Sequence, residues 1–257
     1  MAENCRRLAG KVVIVTGGGH GLGKAYALAL AEEGAKVVVA DINGEATVRV
    51  AEEIKAKGGE ALASRTDVTD EASTLAMAKT TIELFSRIDV LINNAAIIFT
   101  VKVSRVPLDE IAVDEWDKVM AVNVKGAFLC SKAVLPQMKV QGSGKIINVS
   151  SSSIIDGSPL RAHYVASKAA VVGLTRSLSR EVGDFNITVN CLAPGSILSA
   201  PDDPDAVNIA KRTANTRSLK RVGYPSDLVG TVIFLSSSES DFMTGQTLVV
   251  NGGGKFV

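Results

Sequence analysis

Apolar and polar positions along this chain fall into alternating blocks. Lys11–Thr16 (KVVIVT) is an unbroken apolar run of strand length, the pattern of a strand buried on both faces. Leu22–Gly34 (LGKAYALALAEEG) follows with helix formers and stops at a glycine suited to a C-cap. The couplet then repeats. Strand Lys36–Asp41 precedes helix Glu45–Lys57, which stops at Gly58-Gly59, and the weaker strand Glu60–Arg65 precedes helix Asp70–Phe85, capped by Asp70 or Thr69. Strand Asp89–Asn93 leads to a long helix, Asp114–Lys139, and strand Lys145–Ser150 to another, Ala162–Val182, with Gly183 placed to end it. Strand Ile187–Leu192, helix Ser226–Ser236 and strand Thr247–Val250 complete the series. Such alternation predicts an α/β fold: one doubly wound parallel sheet of about seven strands, right-handed crossovers, and helices on both faces. Residues 1–257 read as a single domain. The least regular stretch is 196–221, with Pro201, Pro204, Asp202, Asp203 and Asp205. It is long for a connection in a compact domain and reads as a substrate lid.

Composition narrows the classes. Of 257 residues, 46% are hydrophobic and 21% charged, enough apolar material for a large core, and the net charge is +1. That balance favours neither nucleic acid nor an anionic membrane as partner. No apolar run reaches the roughly 18 residues of a membrane span, and the N-terminus does not read as a signal peptide. Cys5, Cys130 and Cys191 are odd in number and far apart, and His20 and His163 are the only histidines. Neither a disulfide framework nor a metal site is expected, and a cytoplasmic protein is.

In open α/β sheets, ligands sit beyond the carboxyl ends of the strands. There the chain reads TGGGHGLGKA, Thr16–Ala25. A triphosphate loop would need Ser or Thr after Lys24 to hold magnesium, and Ala25 stands there. The strict dinucleotide pattern G-x-G-x-x-G also fails, because Leu22 occupies the third glycine position. What remains is a wider turn, Gly17, Gly21 and Gly23, able to bring backbone amides of a helix start against a pyrophosphate. Asp41 lies 20 residues after Gly21 at the next strand's end. A carboxylate there accepts hydrogen bonds from ribose hydroxyls and repels a 2′-phosphate, so Asp41-Ile42-Asn43 favours NAD over NADP. His20, inside the loop, is a weak substitute for the basic side chain an NADP site would offer.

Tyr164-Val165-Ala166-Ser167-Lys168 places a phenol and an ammonium on one helix face. A free tyrosine has a pKa near 10, and a nearby cation favours its phenolate. Such a tyrosine can take a proton from an alcohol or return one to a carbonyl oxygen. Ser151, 13 residues earlier in the run Ser150–Ser153, can hydrogen-bond the same substrate oxygen; Ser150 and Ser152 are its rivals by spacing.

The ordered set Thr16-Gly-x-x-x-Gly-x-Gly, Asp41, Asp67-Val68, Asn93-Asn94-Ala95, Asn123, Ser151, Tyr164-x-x-x-Lys168 and Pro194-Gly195 resembles the short-chain dehydrogenase/reductase family, from about Leu8 to Gly253. The family's fold is Rossmann-like. The resemblance implies Tyr164 as acid/base and Lys168 lowering its pKa while holding the nicotinamide ribose. Ser151 would orient the substrate oxygen, and Asn123 would bend its helix and support a proton-relay water. For the cofactor it implies Gly17, His20, Gly21, Leu22, Asp41 and Ile42 at the first crossover, and Asp67 and Val68 flanking the adenine. Asn94, Ala95 and Ala96 would line the adenosine side, and Pro194, Gly195 and Ile197 the nicotinamide. Ala96 stands where the family has glycine, and Ile154 where glycine often follows the catalytic serine.

The expected substrate wall is Ile97, Phe99, Ile154, Ile155, Leu160 and Leu198, with Ser151 at the reacting oxygen. An apolar wall with few polar groups suits a medium-sized secondary alcohol or ketone. The rival enzyme is a 3-oxoacyl-carrier-protein reductase using NADPH. Those reductases often carry a basic residue just before the strand Ile187–Leu192, where this chain reads Asp184-Phe185-Asn186. A non-catalytic dinucleotide sensor or scaffold is the alternative of another class; such relatives lose Tyr or Lys. The resemblance also implies a homodimer or homotetramer joined through the two long helices.

Overall fold

A computed structural model describes residues 6–97 and 103–256. Seven strands form one all-parallel sheet in the order β3-β2-β1-β4-β5-β6-β7. They are β1 Val12–Thr16, β2 Lys36–Asp41, β3 Ala61–Arg65, β4 Val90–Asn93, β5 Gly144–Val149, β6 Ile187–Pro194 and β7 Thr247–Val250. The helices are α1 Gly21–Glu32, α2 Gly44–Ala56, α3 Glu71–Phe85, α4 Val113–Met120, α5 Gly126–Gln141, α6 Ser153–Asp156, α7 Ala162–Val182, α8 Pro204–Ala214 and α9 Ser226–Ser236. The order reverses between β1 and β4. At that switch point the crossovers diverge and leave a crevice at the strands' carboxyl ends.

Alternation along β1 explains the two-sided core. Val13 and Val15 face Tyr26 and Leu30 of α1 and Leu228 and Val232 of α9. Ile14 faces the other way, with Met77 of α3, Val134 and Met138 of α5 and Leu178 of α7. All five β1 residues are buried, which accounts for the unbroken apolar run.

Three expectations change. The long helix from residue 114 is three pieces: α4, a π-helical segment Ala121–Lys125, and α5. Within residues 113–141 an 18-residue window has a mean hydropathy of 1.3, a span-like value, yet half of that window is buried within the fold. Gly183 does end α7, as its C-cap after Val182, but with helical φ (−59°) rather than a left-handed turn: it opens a 3₁₀ turn, Gly183–Phe185, and Asn186 takes the left-handed position at φ +54°. Segment 196–221 is not irregular throughout. Asp203 caps α8 by accepting from Asp205 N–H at 2.9 Å, and Pro204 stands at its first position, a start signal present in the sequence.

Candidate active site

The glycine turn is built by β4 as much as by β1. Thr16 Oγ1 donates to Ile92 O at 3.2 Å and accepts from the N–H groups of Asn94 and Ala95, both at 3.1 Å. Asn94 Nδ2 returns bonds to Thr16 O at 3.0 Å and Gly17 O at 3.2 Å. Asn94 thus clamps the turn, and Ala95 lies against it. Gly17 has φ +62°, and a Cβ there would stand 2.9 Å from Ala95 Cα. A Cβ at Gly23 would stand 2.0 Å from Gly17 O, so the helix start closes on its own loop rather than on a strand. His20 is exposed at the N-cap of α1 and makes no capping bond through its side chain. Gly21 opens the helix opposite Ser199, and Leu22 packs on the core beneath.

Both oxygens of Asp41 are positioned by backbone: Oδ2 accepts from Gly19 N–H and Oδ1 from Asn43 N–H, each at 3.0 Å. A Cβ at Gly19 would fall 3.1 Å from that carboxylate. The turn therefore leaves bare backbone beside a fixed acceptor at a helix start, an arrangement that fits a dinucleotide. Ile42 next to it is 64% exposed. Asp67 Oδ1 accepts from Thr69 N–H at 2.9 Å and Oγ1–H at 2.7 Å, while Val68 is buried against Gly126. Ala96 is half-buried. Across the crevice Gly195 N–H donates to Val250 O at 2.9 Å, continuing β6 beyond Pro194. Ile197 pairs with Gly223 in a short parallel bridge.

The catalytic candidates converge on α7. Tyr164 and Lys168 are both buried there, and Lys168 Nζ lies 6.0 Å from the Tyr164 ring centre. Nζ donates to Val149 O at 2.8 Å. Burial lowers the Lys168 pKa from 10.5 to about 8. The phenol departs from expectation: burial raises its pKa above 10, opposed by a hydrogen bond with Ser151 and by the Arg161 charge, and Lys168 is not among the groups acting on it. A low-dielectric site penalises phenolate and ammonium alike. Among the serines, Ser150 Oγ donates to Lys168 O at 2.7 Å and Ser152 is buried, which leaves Ser151 beside the phenol.

Asn123 sits in the π-helical segment. Its Oδ1 accepts from Ile97 N–H and its Nδ2 donates to Ser167 Oγ, both at 3.0 Å. Ser167 Oγ in turn donates to Tyr164 O at 2.7 Å. This buried amide ties the β4 loop to the catalytic turn. Asn123→Ala would strand the Ile97 N–H, an expected loss of roughly 1–3 kcal/mol. A denaturant melt showing wild-type stability would contradict that role.

Of the expected substrate wall, Ile154, Ile155 and Leu198 are half-buried, and Leu160 is 48% exposed. Ile97 is buried in a small patch with Val103 and Val119. Phe99 lies outside the described residues.

Sequence reading passed over several residues. Arg65 is the register partner of Asp41, its stem against Gly44; strand pairing alone brings it there. Arg217 is 3% exposed and donates to Ser196 O at 3.1 Å, fastening the segment after β6. Lys139 places its ammonium 4.8 Å from the Phe185 ring centre, so the turn before β6 does have a cation, supplied by α5. Nothing in local sequence announces any of these contacts.

A bare glycine turn at the switch point, a fixed carboxylate on the next strand and a buried Tyr–Lys–Ser set define a dinucleotide-binding oxidoreductase. Comparison with known proteins agrees. The family model "short chain dehydrogenase" matches residues 11–205. An oxidoreductase of Thermotoga maritima is 40% identical over 250 residues, spanning 95% of this chain and 97% of that protein. The 3-oxoacyl-[acyl-carrier-protein] reductase FabG of Staphylococcus aureus is 41% identical over 244 residues, at 95% and 97% coverage. A short-chain type dehydrogenase/reductase from Mycobacterium marinum superposes with a TM-score of 0.90 at 35% identity over 99% of both chains. The chain belongs to the short-chain dehydrogenase/reductase family, whose members bind a nicotinamide dinucleotide.

Proposed function

We propose that the protein is an NAD(H)-dependent oxidoreductase acting on a medium-sized secondary alcohol or its ketone. The observation that carries this reading is the buried Tyr164 phenol, with Ser151 beside it and Lys168 one helical turn later. The bound nicotinamide supplies the hydride acceptor or donor. Tyr164 passes the proton to or from the substrate oxygen, which Ser151 orients. Lys168 holds a cation beneath the phenol and presents it to the nicotinamide ribose; Asn123 keeps that turn of α7 in place. Gly17, Gly21 and Asn94 shape the pyrophosphate turn, and Asp67, Val68, Ala95 and Ala96 flank the adenosine. Pro194, Gly195 and Ile197 border the nicotinamide.

Asp41 supports NAD rather than NADP: its carboxylate, held by Gly19 and Asn43 N–H at the end of β2, would accept from ribose hydroxyls and repel a 2′-phosphate. Asp41→Asn removes the charge but keeps an acceptor. The ratio of kcat/KM with NAD to that with NADP is expected to fall by about 10- to 150-fold, the worth of one hydrogen bond to a charged group. Arg65 then becomes an available cation beside a 2′-phosphate. An unchanged ratio would remove Asp41 as the selector.

A second reading is reduction of a 3-oxoacyl thioester on a carrier protein. The FabG relatives favour it, as does Lys139 over Phe185 at the turn where an acidic carrier would dock. Nicotinamide absorbance with a panel of free secondary alcohols and one carrier-bound 3-oxoacyl substrate separates the two readings. Turnover of the carrier substrate alone would displace the first. On α5, Phe128 is 48% and Val140 84% exposed, which supports a homodimer or homotetramer through α5 and α7. Buried free thiols at Cys130 and Cys191 suit a reducing, cytoplasmic setting.

A further inference from the structure

The helix that carries Tyr164 begins at a cation for which no carboxylate among the described residues forms an ion pair. Arg161 is the N-cap of α7, at φ −145° and ψ 38°. The residue before it, Leu160, is left-handed at φ +64°. That backbone is strained for a leucine and persists only where surroundings enforce it. Arg161 itself is half-buried, and its Nε is fully buried with no hydrogen-bond partner among the described residues. On the elements packed against this end of α7, Asp156 of α6 pairs with Lys255. Glu115 of α4 accepts Ser104 N–H and Oγ–H at 2.6 Å each and lies 3.7 Å from His163. Arg105, in the segment between β4 and α4, adds a second positive charge close enough to act on Arg161, and Arg161 acts on the Tyr164 phenol. No carboxylate is among the groups acting on Arg161. A half-buried guanidinium left this way is costly unless a bound anion completes it.

We propose that Arg161, with the exposed Arg105 near it, binds a carboxylate on the substrate, so that the alcohol oxidised is a short hydroxy acid. This rests on the reading of Tyr164 as the acid/base and refines its substrate from a neutral to an amphipathic one. The apolar body lies along Ile154, Ile155 and Leu198, and the acid end lies one helical turn from the phenol. The carboxylate is held and not transformed. The carbinol carbon loses its hydride to the oxidised nicotinamide, its hydroxyl loses a proton to Tyr164, and a carbonyl forms.

Two measurements test this on the cofactor-loaded enzyme. Butyrate and butyramide are titrated against the fluorescence of bound reduced cofactor, and kcat/KM is compared for short 3-hydroxy acids and their methyl esters. Wild type is expected to bind butyrate more tightly than the amide and to prefer acid to ester. Arg161→Met, which keeps the side chain's apolar stem, is expected to reduce that preference by about 10- to 150-fold, and Arg161→Lys to restore part of it. Equal butyrate and butyramide affinities in wild type would overturn the proposal. So would an Arg161→Met variant that loses acid and ester turnover equally. Butyrate binding that depends on Arg161, with no turnover of either compound, would keep the anion site and sink the Tyr164 reading instead. Ester turnover without acid preference would do the reverse.

Discussion

Tyr164→Phe is expected to reduce turnover by roughly 10²- to 10⁴-fold, the range typical of a positioned acid/base, while the fold and cofactor affinity persist. The substitution removes one oxygen from a buried ring whose packing is otherwise conserved. What is lost is the hydroxyl's interaction with the neighbouring Ser151. Steady-state rates beside a melt and a cofactor titration check it; turnover near the wild-type rate would show that another group handles the proton. The direction of the phenol's pKa shift adds a pH signature. Burial pushes the Tyr164 phenol's pKa up from its ordinary value, whereas it brings the Lys168 pKa down to about 8. Reduction needs the phenol protonated and the lysine charged, so kcat/KM for reduction should be flat through neutral pH and fall above about 8. Oxidation needs the phenol to accept a proton and should quicken with rising pH. A reduction rate constant from pH 7 to 10 would contradict the part assigned to Lys168.

The departure of this phenol from expectation shows which information a linear reading carries. Positions with a local signature were legible. The β2 limits Lys36–Asp41, the α7 limits Ala162–Val182 and the Asp70 cap follow from periodicity and capping chemistry, and all three stand in the structure. The i, i+4 placement of Tyr164 and Lys168 is equally local. Their protonation is not, because it depends on how much protein covers them. Spacing suggested that Lys168 lowers the phenol's pKa; burial reverses the direction and depresses the lysine too. The same limit applies to Asn123. Its position was readable, but the π-helical turn and the bonds to Ile97 and Ser167 join residues 26 and 44 apart. Lys139 over Phe185 is a third example, in which a turn without basic residues gains a cation from another helix. The misread start of α8 differs in kind. Asp203-Pro204 is a local signal, obscured by the prolines and aspartates around it.

Lys168→Met is expected to make the protein more stable and far less active. The wild-type enzyme buries an ammonium with 3% exposure and no carboxylate partner, its pKa depressed from 10.5 to about 8. That depression corresponds to roughly 3 kcal/mol by which the fold disfavours the charged lysine. The sign follows from proton uptake. Below pH 8 the folded and unfolded chains both carry the proton, and the full cost of burying it is present. Between about pH 8 and 10.5 the unfolded chain binds more protons than the folded one, so stability rises with pH and the cost disappears. Methionine has similar length and no charge to bury. Its gain at neutral pH is offset by the unpaired Val149 carbonyl that Nζ now caps at 2.8 Å. A net increase of about 1–2 kcal/mol is therefore expected at pH 7, shrinking toward zero or below by pH 10. Denaturant melts at the two pH values, with turnover measured alongside, decide it. A variant less stable at pH 7 would mean that Lys168 is stabilising where it sits. A more stable and inactive variant would show that the fold bears this buried charge for catalysis.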